Sequence, residues 1–227
     1  ICTPVLAIVP TIKAIAPVLK EGAIVTDVGS TKAEITRGAD EALPEGRFFV
    51  GGHPMAGSEA DGVEAALPYL FLNATYVITP TSSTDVMALN TLVRFAEGLG
   101  SNVILMDPEQ HDRSVAIISH VRHVLASAIL RLAAEEQAKS GQVLELAAGS
   151  FRDMTRVASS PPEIWVDICL SSKEAISSAL KKLEDLLTEV RMGIESGDAK
   201  VVKRHFSEGK MIRDSWAKDF PDDSETE

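Results

Sequence analysis

The feature that most constrains this chain is a change of periodicity near Asp107. Before it, short β-branched runs alternate with helical patterns; after it, only helical patterns continue. Residues 23–28 (AIVTDV) predict a buried strand ending at an acidic residue and a glycine. Residues 31–43 predict a helix, with Ser30 or Thr31 as its cap and Glu34 in its first turn. Residues 48–50 read as a short strand stopped by the Gly51-Gly52 pair. Residues 75–79 (TYVIT) read as another strand, 84–97 as a helix and 102–106 (NVILM) as the last strand. Such alternation implies an open α/β sheet with helices on both faces.

Beyond Asp107, Pro108 opens a helical pattern in which Val115, Ile118, Val121, Leu125, Ala128, Ile129 and Leu132 share one period. Residues 178–192 predict a strongly amphipathic helix, and 199–216 another. Broad apolar faces in an all-helical segment suit burial against a second copy, so a homodimer is expected. Residues 219–227 (DFPDDSETE) read as a short acidic tail, frayed at the end. The organisation expected is therefore 1–107, 108–216 and 217–227.

Composition narrows the function classes. A net charge of −11 argues against a nucleic-acid binder, which needs a basic face. The apolar opening, residues 1–19, is cut by Pro4, Pro10, Lys13 and Pro17 and predicts no clean membrane span. Two cysteines far apart, Cys2 and Cys169, suggest no disulfide framework and fit reduced thiols in the cytoplasm.

Four clusters could carry chemistry. Asp27-Val28-Gly29-Ser30-Thr31-Lys32 follows a predicted strand, where open α/β sheets bind ligands; it also reads as an ordinary capped turn. Gly51-Gly52-His53-Pro54-Met55-Ala56-Gly57-Ser58-Glu59 sets a histidine in a stiff, glycine-flanked frame, which makes it an acid–base candidate. His111-Asp112, followed by Ser119-His120-Val121-Arg122-His123, puts two imidazoles i,i+3 on a helix. Anion binding, a structural pair and a metal are all conceivable there, although Arg122 would repel a cation. Arg152 and Arg156, before Ser159-Ser160-Pro161-Pro162 and Trp165, suit a carboxylate clamp or a charged helix surface.

Together and in this order, DVGSTK, GGHPMAGSE, SHVRH and FRDMTRVASSPPEIW resemble the prephenate dehydrogenase family, which includes arogenate dehydrogenases. The resemblance runs from about Thr3-Pro4-Val5 to about Trp216. It implies the C-terminal half of a Rossmann-like dinucleotide-binding domain followed by an all-helical dimerisation domain. It also implies NAD or NADP as cofactor and a cyclohexadienyl substrate. Hydride leaves the hydroxyl-bearing ring carbon, carbon dioxide is lost and the ring becomes aromatic, on the route to tyrosine. By this resemblance His53 is the catalytic base and Ser30 orients it. Arg156 grips a substrate carboxylate, His123 and Ser119 surround the substrate side chain, and Trp165 walls the pocket. Lys32 neighbours substrate or cofactor, while Thr3, Pro4, Gly29 and Ser30 pass the cofactor. No metal is implied.

Two departures stand out. The family often reads SHLPH where this chain has SHVRH, so Arg122 adds a charge. No GxGxxG fingerprint occurs among the 227 residues, and roughly 70 further residues are expected upstream for a whole dinucleotide domain. No regulatory domain is expected after Trp216. Two other readings stay open: an inactive helical dimerisation remnant, and a related dehydrogenase of hydroxy acids.

Overall fold

The computed structural model describes residues 1–57, 64 and 66–219. The chain packs as two compact units, Ile1–Ala179 and Leu180–Glu227. The boundary expected after residue 107 falls inside the first unit. The expected tail at 219–227 lies outside the described residues except for Asp219, the last residue of a helix.

Four strands form one sheet in the order β1 (Ile24–Thr26), β2 (Phe48–Pro54), β3 (Thr75–Thr79) and β4 (Asn102–Leu105). β1 and β2 are parallel, as are β3 and β4, but β2 and β3 run antiparallel. The Ile1 backbone nitrogen donates to the Thr26 carbonyl (2.8 Å), and the Val28 amide donates to the Ile1 carbonyl (3.2 Å). The opening residues thus run along the free edge of β1.

β2 corrects the sequence expectation. The glycine pair does not end the strand; it runs through Gly51, Gly52 and His53 to Pro54, almost wholly buried. The close approach of its neighbours explains the glycines. A Cβ on Gly51 would meet Thr79 Oγ1 at 2.5 Å, and one on Gly52 would meet the Asp27 carbonyl oxygen at 2.9 Å.

Helices cover the sheet because their apolar stripes match it. α1 (Val5–Ile15) buries Val5, Ile8 and Ile12, and α2 (Ala33–Ala42) buries Ile35 and Ala39. α1 was not legible as a helix, since Pro10 stands inside it. α3 (Val86–Gly98), capped by Asp85 accepting from the Ala88 amide at 2.8 Å, packs Ala88, Leu92 and Ala96 on Val50, Tyr76 and Ile78.

After β4, residues Pro108–Ser140 form one 33-residue helical run that is apolar and long enough to cross a membrane by length and composition alone. It comprises α4 (Pro108–Val115), a π-helical turn (Ala116–His120) and α5 (Val121–Ser140). Of the expected apolar face, Val115 and Val121 are buried while Ile118 and Leu132 are exposed; the π turn between Val115 and Val121 adds a residue of phase there. α6 (Gly149–Thr155), a 3₁₀ turn (Arg156–Ser159) and α7 (Pro162–Ser171) follow.

α8 (Lys173–Ser196) leads into the second unit. There Gly197, in the left-handed region (φ +70°), turns the chain into α9 (Ala199–Asp219). Within that unit Gly193 lies against Val201, and Arg204 pairs with Glu189.

Candidate active site

The carboxyl end of β1 is organised by a buried ion pair. Asp27 and Lys32 are fully buried and paired to each other. The Gly29 amide donates to Asp27 Oδ2 (2.8 Å), the Gly52 amide to Asp27 Oδ1 (3.2 Å), and Lys32 Nζ to the Gly52 carbonyl (2.7 Å). Burial lowers the Lys32 pKa, and Asp27 opposes that shift. Such a pair persists because every polar atom finds a partner. Its effect is to fix Gly52, and hence the next residue, His53.

This placement corrects two sequence expectations. Lys32 does not reach the cleft; its ammonium is spent inside the sheet edge. Nor do Ser30 or Thr31 cap α2. The cap comes from Asp112, 79 to 80 positions away, whose carboxylate accepts from the Lys32 amide (2.8 Å) and the Ala33 amide (3.0 Å). Helix N-termini favour an anion there.

The same carboxylate begins a chain of hydrogen bonds. His111 Nδ1 lies 2.8 Å from Asp112 Oδ1, and His111 Nε2 lies 2.8 Å from His53 Nδ1. A carboxylate can only accept, so His111 carries its proton on Nδ1 and offers a lone pair on Nε2. His53 must then donate from Nδ1, which leaves the lone pair of Nε2 as the basic site. Burial first, then coulombic coupling to the neighbouring His111, Lys32 and His120, which disfavours adding a proton, holds the His53 pKa well below the usual histidine value. The imidazole is therefore neutral near pH 7, as a base must be. Sequence reading singled out His111 and Asp112 but gave them no role. Ser30 lies beside His53 in the cleft, yet the hydrogen bond that orients the ring comes from His111.

His53 opens into a cleft of about 460 Å³. Ser30, Ser119, His123, Arg156 and Trp165 line the same cleft, together with Arg122. The π turn and the start of α5 aim Ser119, His120, Arg122 and His123 at it. His123 stacks on Trp165 (centroids 3.7 Å apart), and its Nδ1 donates to the Ser119 carbonyl at 2.9 Å. His120 lies edge-on to Trp165 and is buried; burial lowers its pKa to about 4. Neither of its ring nitrogens has a partner among the described residues. Sequence reading noted His120 without assigning it to the site.

Arg152, the other half of the expected clamp, is exposed in α6 and is absent from this lining. Gly29 is buried; a Cβ there would meet Ile8 Cδ1 at 2.7 Å, so packing explains that glycine. Thr3 and Pro4 form an exposed turn ahead of α1. Ser58 and Glu59, the end of the second cluster, lie outside the described residues. Among the described residues no group of three or more His, Cys, Asp or Glu could hold a metal ion.

The sheet edge thus brings an imidazole and a guanidinium into one cleft of an α/β fold. Residues 1–105 match the family described as "Prephenate dehydrogenase, nucleotide-binding domain", and residues 107–208 match "Prephenate dehydrogenase, dimerization domain". The chain is 34% identical to the cyclohexadienyl dehydrogenase of Zymomonas mobilis over 94% of its own length and 73% of that relative. It is 39% identical to the prephenate dehydrogenase of Bacillus subtilis, over 84% of this chain and 52% of that one. The structure superposes with a TM-score of 0.86 on prephenate dehydrogenase from Aquifex aeolicus in complex with hydroxyphenyl propionate and NAD+. That pair shares 32% identity and covers 94% of this chain and 74% of that structure. The chain belongs to the prephenate dehydrogenase family. It spans about half the length of the Bacillus relative.

Proposed function

We propose that this protein catalyses the NAD(P)-dependent oxidative decarboxylation of prephenate or arogenate, giving 4-hydroxyphenylpyruvate or tyrosine. One observation carries the reading: His53 Nε2 holds a free lone pair in the cleft that Arg156 also lines. The family membership and the ligands of the Aquifex structure support it. No observation favours the remnant or the hydroxy-acid reading.

The residues present fit one end of a dinucleotide. The exposed Thr3-Pro4 turn and the half-buried Ser30 stand at the carboxyl end of β1, where open α/β sheets bind such cofactors. When bound there, NAD or NADP supplies the hydride acceptor. His53 Nε2 takes the proton of the ring hydroxyl as hydride leaves the same carbon. Asp112, through His111, steadies the imidazolium that forms. Arg156 holds a substrate carboxylate, and Ser119, His123 and Trp165 bound the side-chain end. The second carboxylate leaves as carbon dioxide, and its bonding pair completes the aromatic ring.

We read the protein as a cytoplasmic homodimer. The match to a dimerisation domain supports this, and so do the exposed Ile117, Ile118 and Leu132 on the long helix. The test is His53→Asn in the full-length enzyme. Turnover should fall by roughly 10² to 10⁴ while substrate affinity holds, because one general base is removed. Near-normal turnover would end the proposal.

A further inference from the structure

Arg122 stands where helical spacing puts it beside Ser119 and His123, and its side chain lines the cleft. No carboxylate occurs in the sequence between Asp112 and Glu135, so the helix gives Arg122 no acidic neighbour three or four positions away. Three exposed arginines pair with acids, Arg37 with Glu109, Arg191 with Glu195 and Arg204 with Glu189, whereas Arg94, Arg113, Arg131 and Arg152 have no such pair among the described residues. Arg122 has no hydrogen bond or ion pair among the described residues. The described cleft lining contains neither Asp nor Glu. Its buried imidazoles, His53 and His120, are held neutral by burial. Among the described lining residues the side chains with a permanent charge are Arg122 and Arg156, in a chain whose net charge is −11.

The two candidate substrates differ only in the side chain. Both carry a ring carboxylate and a side-chain carboxylate. Prephenate adds a keto oxygen, a hydrogen-bond acceptor, whereas arogenate adds an ammonium. A single arginine on the side-chain carboxylate serves both alike. A second guanidinium at the Ser119–His123 end serves only the keto acid, since it donates to an oxygen and repels an ammonium. We propose that Arg122 makes this cleft selective for the doubly anionic keto acid over its zwitterionic amino counterpart. This rests on the dehydrogenase reading given above and adds the residue that sets its substrate preference.

The experiment compares full-length wild type, Arg122→Gln, Arg122→Glu and Arg156→Ala in steady-state assays on prephenate and arogenate. Arg122→Gln should raise KM for prephenate about tenfold, the scale of one lost charge-assisted hydrogen bond at a partly solvated site, and should lower KM for arogenate. Arg122→Glu should reverse the preference. Added salt should raise KM for prephenate in wild type more steeply than in Arg122→Gln, because screening acts on an exposed charge. Equal changes in both KM values, or no change in either, would overturn the role of Arg122. Arg156→Ala separates the two levels. If it raises KM for both substrates while Arg122→Gln is silent, only the selectivity proposal fails; if it too is silent, the reading of the cleft fails. Arg122 is exposed, and unchanged far-UV circular dichroism would confirm that its variants fold.

Discussion

His53 Nδ1 and His111 Nε2 lie 2.8 Å apart, and the Asp112 carboxylate sits 2.8 Å beyond the far nitrogen of His111. This contact fixes the tautomer of His53 and joins its basicity to the N-terminus of α2. Asp112→Ala should therefore do two things at once. It removes a helix cap, costing about 1–2 kcal/mol, and it frees His111 to turn. The stability loss reads as a lower urea midpoint, the second effect as a lower kcat with a nearly constant KM. Asp112→Asn keeps one acceptor and should recover most of the stability. If both variants kept wild-type kcat, the chain of hydrogen bonds would have no part in turnover.

With His53 as the proposed base, its lowered pKa sets the pH dependence of activity. The base is active when neutral, so kcat/KM should be flat above about pH 6.5 and fall only in more acidic solution. A profile still rising between pH 7 and 8 would mean that another group limits the reaction.

Stability follows the same sign. The folded-state pKa of His120 is about 4, below the unfolded value near 6.5, so between those limits the unfolded chain binds more protons. Stability should therefore fall as pH drops from about 6.5 towards 4. His120 should contribute at most about 2–3 kcal/mol of that change. Urea midpoints measured across this range should drop less steeply for His120→Asn than for wild type. Parallel curves would remove His120 as a cause.

The sequence made some of this visible and hid the rest for identifiable reasons. β3 (TYVIT) and the amphipathic stretch 178–192 follow from local periodicity, and Pro108 marks the start of α4 because its ring suits a first helical turn. The cleft residues His53, Arg156 and Trp165 stood out through their glycine, proline and arginine neighbours. Gly51-Gly52 misled, because glycine signals a break locally and a crowded strand globally. The Asp112 cap and the antiparallel β2–β3 pairing depend on partners distant in sequence, which leave no periodic trace. The π turn is one residue of extra phase inside a continuous apolar pattern. Lys32 looked like a ligand group because nothing local reveals that Asp27 and Gly52 enclose it.

That enclosure gives a test of its own. Lys32→Met leaves Asp27 buried without its cation and should cost about 3–5 kcal/mol. Adding Asp27→Asn removes the stranded charge and should restore part of the loss. Denaturation midpoints of the two single variants and the double variant measure the coupling. Additive losses would show that the pair contributes no coupling to the fold.

Gly52→Ala probes the link from this ion pair to His53. The new methyl would lie 2.9 Å from both the Asp27 carbonyl oxygen and Tyr76 Cε1. Backbone cannot yield as a flexible side chain does, so β2 itself must move, at about 1–3 kcal/mol for an overpacked site. The displacement falls on the next residue, the proposed base. Turnover should drop more than stability alone explains, with KM for substrate less affected than kcat. Gly22→Ala is the comparison, since a Cβ there meets nothing within 4 Å, although its φ of +79° makes alanine strained. It should lower the urea midpoint and leave kcat alone. If the two variants lost turnover in proportion to their stability, the strand would be merely a support; if Gly52→Ala lost far more, the strand's register sets the position of His53.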